Sequence, residues 1–213
     1  MANFGFRQLV VVDPYAAAWR ETRSAVHASA VVQNAKKFKT LKEAISSAHV
    51  VVGTSAGSRR NQAGRWIGLE DLRAIVNENA QARRRMALVF GSEKSGLSND
   101  ELGFCHFIVK IPTVPQCPSM NLAQAVAIVA YAVRRDGPAS GALIEKSSVI
   151  QVDQIERLIA QGLNAFTAAG LLKGWDLIRS ERRLRKAFLR WNLSPVDVAM
   201  LHGIFRWVIK KAP

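Results

Sequence analysis

The chain has 213 residues, enough to bury a sizeable core in one large domain or in one domain with an appendage. It carries 30 Lys/Arg against 16 Asp/Glu, a formal net charge of +14, with 49% hydrophobic and 22% charged residues. That composition is ordinary for a globular chain and excludes a disordered one; the basic excess favours a polyanionic partner, nucleic acid ahead of an anionic membrane surface. The two cysteines, Cys105 and Cys117, make neither a disulfide framework nor a metal cluster, and their apolar and proline-flanked surroundings predict buried free thiols in a reducing cytoplasm. No signal peptide and no apolar run of membrane-spanning length stands out, so no membrane partner is expected.

Met1 to Phe6 has no obvious cap, and Gln8 to Val12 reads at once as a strand ended by Asp13-Pro14. Trp19 to Lys39 reads as helix followed by loop. His27 and His49 lack partners at metal spacing, so both are expected to be structural. Thr40-Leu-Lys-Glu43 is a capping box opening a short helix. Val50 to Val52 is short and wholly apolar, a buried strand. Gly53-Thr-Ser-Ala56 leaves its end, and Arg59 and Arg60 follow within reach of phosphates. Asn61 to Gly68 reads as glycine-rich loop and Glu70 to Ala80 as amphipathic helix, with Leu72, Ile75 and Val76 inward.

Met86 to Phe90 is a second buried strand, and the polar turn Gly91-Ser-Glu-Lys-Ser-Gly96 ends it with two glycines. Phe107 to Ile111 is a third, broken by Pro112, Pro115 and Pro118. Ser119 or Asn121 caps a helix that is apolar nearly all round from Leu122 to Val133 and therefore buried on several sides. Alternating strands and helices predict a doubly wound α/β sheet, with ligand-binding loops at the strand ends.

Asp136-Gly-Pro-Ala-Ser-Gly141 is a linker by composition, which divides the chain into 1–137, a linker over 138–150, and 151–213. The last part is entirely helical in period, with Ser194-Pro-Val-Asp197 opening its third helix. From Lys173 to Lys211 it holds ten Lys/Arg and three Asp/Glu, a net of +7 and half of the whole excess. Arg179, Arg182, Arg183, Arg185, Lys186 and Arg190 crowd one helix with tryptophans nearby, which points to RNA binding.

Three stretches carry a resemblance. FGSEKSGLSNDEL resembles the second motif of the SpoU (TrmH-like) RNA 2′-O-ribose methyltransferases of the SPOUT superfamily, and IPTVPQCPSMNLAQAVAIVAYAV resembles their third. Val51-Val-Gly-Thr-Ser-Ala56 is similar to the strand-end loop of the TrmJ-like branch, which methylates tRNA. The resemblance implies a SPOUT fold with a C-terminal trefoil knot, homodimers paired near the knot, and S-adenosylmethionine as methyl donor without a metal. It places Thr54, Ser55, Ala56, Gly91, Gly96, Leu97, Ile111, Pro112, Pro118, Ser119 and Met120 around that donor, and Glu93, Asn121 and Ser119 at the chemistry. It also implies that the small helical C-terminal extension helps to hold RNA, with tRNA favoured over rRNA.

One departure stands out. The family's first motif runs roughly Asn-x-Gly-x-x-x-Arg, and a short helix ending in Phe-Gly follows it. Asn3-Phe-Gly5 matches the tail of that motif, which would put the Arg about two residues before Met1. A misplaced start is the expected explanation, ahead of a truncated product or a catalytically inactive RNA-binding relative. An ordinary nucleotide enzyme is disfavoured, because neither a Gly-x-Gly-x-x-Gly fingerprint nor a Walker lysine loop is present.

Overall fold

The three valines of Val50-Val51-Val52 decide the layering, because successive side chains of a strand point to opposite faces. A computed structural model of the chain describes residues 1–14, 29–57, 65–135, 150–172 and 177–212. In it β3 (Val50–Thr54) lies inside a four-stranded parallel sheet of order β4-β6-β3-β5, with β4 at Arg65–Gly68, β5 at Met86–Val89 and β6 at Phe107–Lys110. Val50 and Val52 enter one core with Ile67, Val109, Leu72 and Ile75 of α3 (Leu72–Gln81), and Val129 and Val133 of α5 (Leu122–Arg134). Val51 enters the opposite core with Ile108, Ile45 of α2 (Leu41–Ile45) and Leu102 of α4 (Asn99–Leu102). Helices on both faces of parallel strands make the doubly wound arrangement that the apolar runs predict.

Three features differ from the sequence-based expectation. Lys36–Phe38 forms a strand, β2, where a loop was expected; it pairs in parallel with β1 (Val10–Val12) in a separate two-stranded sheet, and α1 (Ser29–Gln33) precedes it. Arg65–Gly68, expected as loop, is the edge strand β4, with Trp66 opposite Ile108. Both are short edge strands with an exposed side, so neither shows a continuous apolar run. Finally, α5 is buried at Val129, Ala130, Ala132 and Val133 but exposes a stripe of Ala123, Ala127 and Tyr131. At its far end Tyr131 meets Phe4 of the N-terminal turn edge to face, with ring centroids 6.2 Å apart.

Beyond the sheet, α6 (Val152–Ala168), α7 (Leu177–Trp191) and α8 (Pro195–Lys211) close around their own apolar cluster of Ile155, Leu158, Ile159, Phe188, Val198 and Phe205. The expected cap of α8 is present: Ser194 Oγ accepts from Asp197 N–H and Asp197 accepts in return from Ser194 N–H. The first turn of α6 is tied to the sheet domain by Val152 N–H to Ala48 C=O, 3.0 Å. The linker expected over 138–150 falls, except for Ile150, outside the described residues. Among the described residues no helix is long and apolar enough to cross a membrane.

Two histidines latch the amino-terminal edge of the sheet. His106 Nδ1 accepts from Val51 N–H at 3.2 Å, while the backbone N–H of His106 donates to Val51 C=O at 2.9 Å. His49 Nδ1 accepts in the same way from Arg85 N–H at 3.1 Å, which gives the structural role expected for it; His27 lies outside the described residues. Accepting an N–H requires a neutral ring. Desolvation holds the His106 pKa down to about 4, and burial, then the charges of Arg85 and Arg84, lower that of His49. A lowered native pKa means that the unfolded chain takes up protons first as pH falls. Thermal stability is therefore expected to be full above pH 6.5 and to drop steadily as pH falls from there towards 4. His106→Gln, which keeps an acceptor but cannot titrate, should flatten that acid limb in a melting series; an unchanged slope would remove His106 as its cause.

Candidate functional site

Because β3, β5 and β6 run parallel, their carboxyl ends open on one edge, and three loops leave there together. The end of β3 is fastened to both neighbours: Thr54 Oγ1 donates to Val89 C=O at 3.4 Å and Ser55 N–H to Val109 C=O at 3.1 Å. Gly57 N–H then donates to Ser55 Oγ at 3.1 Å, turning the chain away. This holds Thr54 and Ser55 half-buried and Ala56 exposed at the edge.

The loop after β5 doubles back on itself. Gly96 N–H donates to Ser92 C=O at 2.8 Å, the Ser92 and Ser95 hydroxyls lie 2.8 Å apart, and Gly96 has φ of +66°. A Cβ on Gly91 would stand 2.0 Å from the carbonyl carbon of Gly96 and 2.2 Å from the nitrogen of Leu97, so only glycine permits the crossing. Leu97 turns inward toward Gly53, whose own Cβ position lies 2.6 Å from Cys105 Sγ. Ser98 and Glu101 then form a capping box that starts α4, with Ser98 N–H to Glu101 Oε2 at 2.7 Å. This Ser-x-x-Glu spacing is a helix-start signal legible in the sequence. Glu93 stands exposed at the crest of the loop.

The third loop is held by its own contacts, Thr113 Oγ1 to Pro118 C=O at 3.3 Å and Cys117 N–H to Val114 C=O at 3.0 Å. It ends on Asn121, whose Oδ1 accepts from Ala123 N–H at 2.9 Å and from Gln124 N–H at 3.4 Å. Of the two expected cap residues, Asn121 is the one used; Ser119 is exposed in the loop before it. Ile111 and Met120 are half-buried, Pro112 and Pro118 exposed. Cys117 is also exposed, contrary to expectation, because the proline-broken loop stands off the sheet. Cys105 is buried as expected, and burial, then Glu101, pushes its thiol up to about 12, so no nucleophilic thiolate lies beneath the site.

The edge thus offers backbone amides and carbonyls, the half-buried side chains of Leu97, Ile111 and Met120, the exposed side chains of Glu93 and Lys94, and the carboxamides of Gln116 and Asn121. Apolar surface beside mixed donors and acceptors suits a heterocycle with a polar or charged substituent. Gly96 leaves open space where a Cβ would point, with no heavy atom within 4 Å, so a flat group can lie against its backbone.

A second surface lies on α7. Arg179, Arg183, Lys186 and Arg190 recur at helical spacing as one exposed stripe about 16 Å long. Arg182 beside it is paired, Nη2 to Asp100 Oδ1 at 2.7 Å. Arg185 overturns the expectation that it meets RNA: it is 7% exposed and points inward to Glu156 and Glu181. Arg59 and Arg60 lie outside the described residues.

The SpoU rRNA Methylase family matches residues 1–131, which include all three loops. The chain is 34% identical over 216 residues to the tRNA (cytidine/uridine-2′-O-)-methyltransferase TrmJ of Pectobacterium atrosepticum, covering 99% of this chain and 88% of that one. It is 32% identical to the tRNA (cytidine/uridine/adenosine-2′-O-)-methyltransferase TrmJ of Pseudomonas aeruginosa, covering 96% and 84%. Its fold is that of crystalline TrmJ from Z. mobilis ZM4, with a TM-score of 0.83 over 98% of this chain and 89% of that one at 23% identity. The family match spans the sheet and its three converging loops, and the relatives extend the likeness through the carboxy-terminal helices: the chain belongs to the SpoU methylase family.

Proposed function

We propose that the chain transfers a methyl group from S-adenosylmethionine to a ribose 2′-hydroxyl of RNA, with tRNA as the substrate. The observation that carries this reading is the convergence of the Thr54–Gly57, Gly91–Leu97 and Ile111–Asn121 loops on one sheet edge, in a chain whose relatives are named as tRNA 2′-O-methyltransferases. The pocket would be formed by Thr54, Ser55, Ala56, Gly91, Gly96, Leu97, Ile111, Pro112, Pro118, Ser119 and Met120. S-adenosylmethionine bound there supplies an electrophilic methyl group, and no metal is required.

The chain's own part is positioning, since an in-line displacement needs donor sulfur, methyl carbon and acceptor oxygen on one axis. The Asn121 carboxamide oxygen is taken up by the helix cap, so the group it offers the ribose is its NH2, a donor. The Glu93 carboxylate can only accept when ionised, and we assign it the orientation of the hydroxyl whose proton must leave. The Ser119 hydroxyl can do either, between these two groups in the sequence. Three further parts of the reading concern assembly. The segment following β6 is threaded as the SPOUT trefoil knot. Two copies pair across the exposed Ala123, Ala127 and Tyr131 stripe of α5. Residues 151–213 form an RNA-holding extension of a methyltransferase domain at 1–137, working in the cytoplasm.

Labelled methyl transfer into bulk tRNA and rRNA, scored as alkali-resistant dinucleotides, tests the chemistry. A product carrying any in-frame codons upstream of Met1 is assayed beside the chain itself. Incorporation into tRNA above rRNA is expected; none into either RNA from either product would overturn the reading. Gly91→Ala should raise the dissociation constant for S-adenosylmethionine at least tenfold while circular dichroism stays native, because the loop cannot close over a Cβ; unaltered affinity would place the cofactor elsewhere. On α7, Arg179→Ala with Lys186→Ala and Arg190→Ala should weaken tRNA binding and reduce the slope of log K against log salt by about 2 to 3. A slope identical to the parent's would take the stripe out of the RNA interface.

A further inference from the structure

The least expected feature of the carboxy-terminal helices is a cluster of charges inside them. Glu156 of α6 is 6% exposed and has three polar contacts. Its Oε1 accepts from Arg185 Nε at 2.7 Å and its Oε2 from Arg185 Nη2 at 2.7 Å, a two-pronged pairing that fixes the guanidinium plane. Its Oε2 also meets Lys42 Nζ of α2 at 2.8 Å. The same Arg185 Nη2 reaches Glu181 Oε1 at 2.6 Å, and the guanidinium carbon stands 4.4 Å from the centre of the Phe104 ring, two residues beyond α4. One carboxylate therefore ties together α2, α6 and α7, against the segment that follows the Gly91–Leu97 loop.

Such a cluster is a poor way to add stability. Removing opposite charges from water costs about as much as their attraction returns, and an apolar replacement of the same volume is often as stable. What directional bonds supply is a single register. Helix α7 is rigid, and Arg185 projects away from the side that carries Arg179, Arg183, Lys186 and Arg190. Fixing Arg185 from within fixes the direction in which the stripe faces. Arg182, paired with Asp100 of α4, adds a second tie, but both partners are more than half exposed and salt screens that pair. The buried carboxylate is the dependable one.

We infer that Glu156 is a positioning residue for RNA: through Arg185 and Lys42 it holds α7 in the one orientation that presents the basic stripe in register with the loops of the methyl-transfer edge. This rests on the reading of α7 as an RNA-binding surface.

The test is a double-mutant cycle on the full chain, using bulk tRNA in filter binding and a separate S-adenosylmethionine titration. Glu156→Gln is expected to weaken tRNA binding about fivefold to tenfold while leaving S-adenosylmethionine affinity at the parent's value. In the Arg179→Ala, Lys186→Ala, Arg190→Ala background the same change should add less than about twofold, because a residue acting through the stripe has nothing left to position. Equal weakening in both backgrounds, or tRNA and cofactor affinity lost together, would reduce Glu156 to a structural residue and overturn the inference. If the triple variant itself binds tRNA like the parent, the α7 surface reading fails first, and this inference with it. Should Glu156→Gln not fold, the double change Glu156→Met with Arg185→Met replaces the buried pair by apolar volume. It should restore a native melting curve but not tRNA affinity, and parental affinity in that variant would equally overturn the proposal.

Discussion

Everything at the candidate site depends on β3 being paired in parallel on both sides. A strand buried on both faces and hydrogen-bonded on both edges cannot shift by one residue without sending Val51 into the wrong core. That fixed register brings Gly53 opposite Val89 and Thr54 opposite Val109. The three loops therefore leave from the same level, and Thr54 and Ser55 complete the arrangement by bonding outward to each neighbour. At the other end of the strands the two histidines supplement the backbone ladder with ring nitrogens, each accepting a backbone N–H.

Much of this was legible in the residues, for a definite reason. β3, β5 and β6 are short apolar runs because both of their faces meet helices, and burial on two sides is the circumstance that composition reveals best. The Asn121 and Ser194 caps were legible because a cap is a local bond between near neighbours. β2 and β4 were not: Lys-Lys-Phe and Arg-Trp-Ile-Gly take their pairing from distant residues and keep one side in water. The crossing at Gly91 could not be read either, since a glycine looks the same whether its turn is open or closed on its own backbone. The positions of Cys117 and of the exposed stripe on α5 likewise depend on what the rest of the chain leaves uncovered.

Arg185 shows where sequence reading of charge loses resolution. Six cations stand within twelve residues of α7, and composition treats them alike. The helical period separates them. Arg185 falls beside Leu184 and Phe188, on the face buried against α6, and one turn after Glu181, the spacing at which a helix pairs opposite charges. Burial on its own pushes the Glu156 carboxyl up and the Arg185 guanidinium down, yet their mutual bonds leave Glu156 lowered and Arg185 raised, so both stay charged.

The net charge of +14 does not say where on the molecule the excess lies. Lys42, Arg182 and Arg185 are paired with Glu156, Asp100 and Glu181, and Arg157 with Asp153, which leaves the excess unchanged but assigns it to other cations. Beyond about 8 Å, physiological salt screens exposed charges in any case, so a polyanion responds to spacing and direction rather than to the total. What distinguishes α7 is that Arg179, Arg183, Lys186 and Arg190 are aligned on one face of a helix whose other face is locked by a buried carboxylate. A stripe free to roll would neutralise phosphates equally well, but it would not hold one ribose at one sheet edge. On the proposed reading of α7 as an RNA surface, the expense of burying Glu156 and Arg185 makes physical sense for a transfer that must align three atoms on a line.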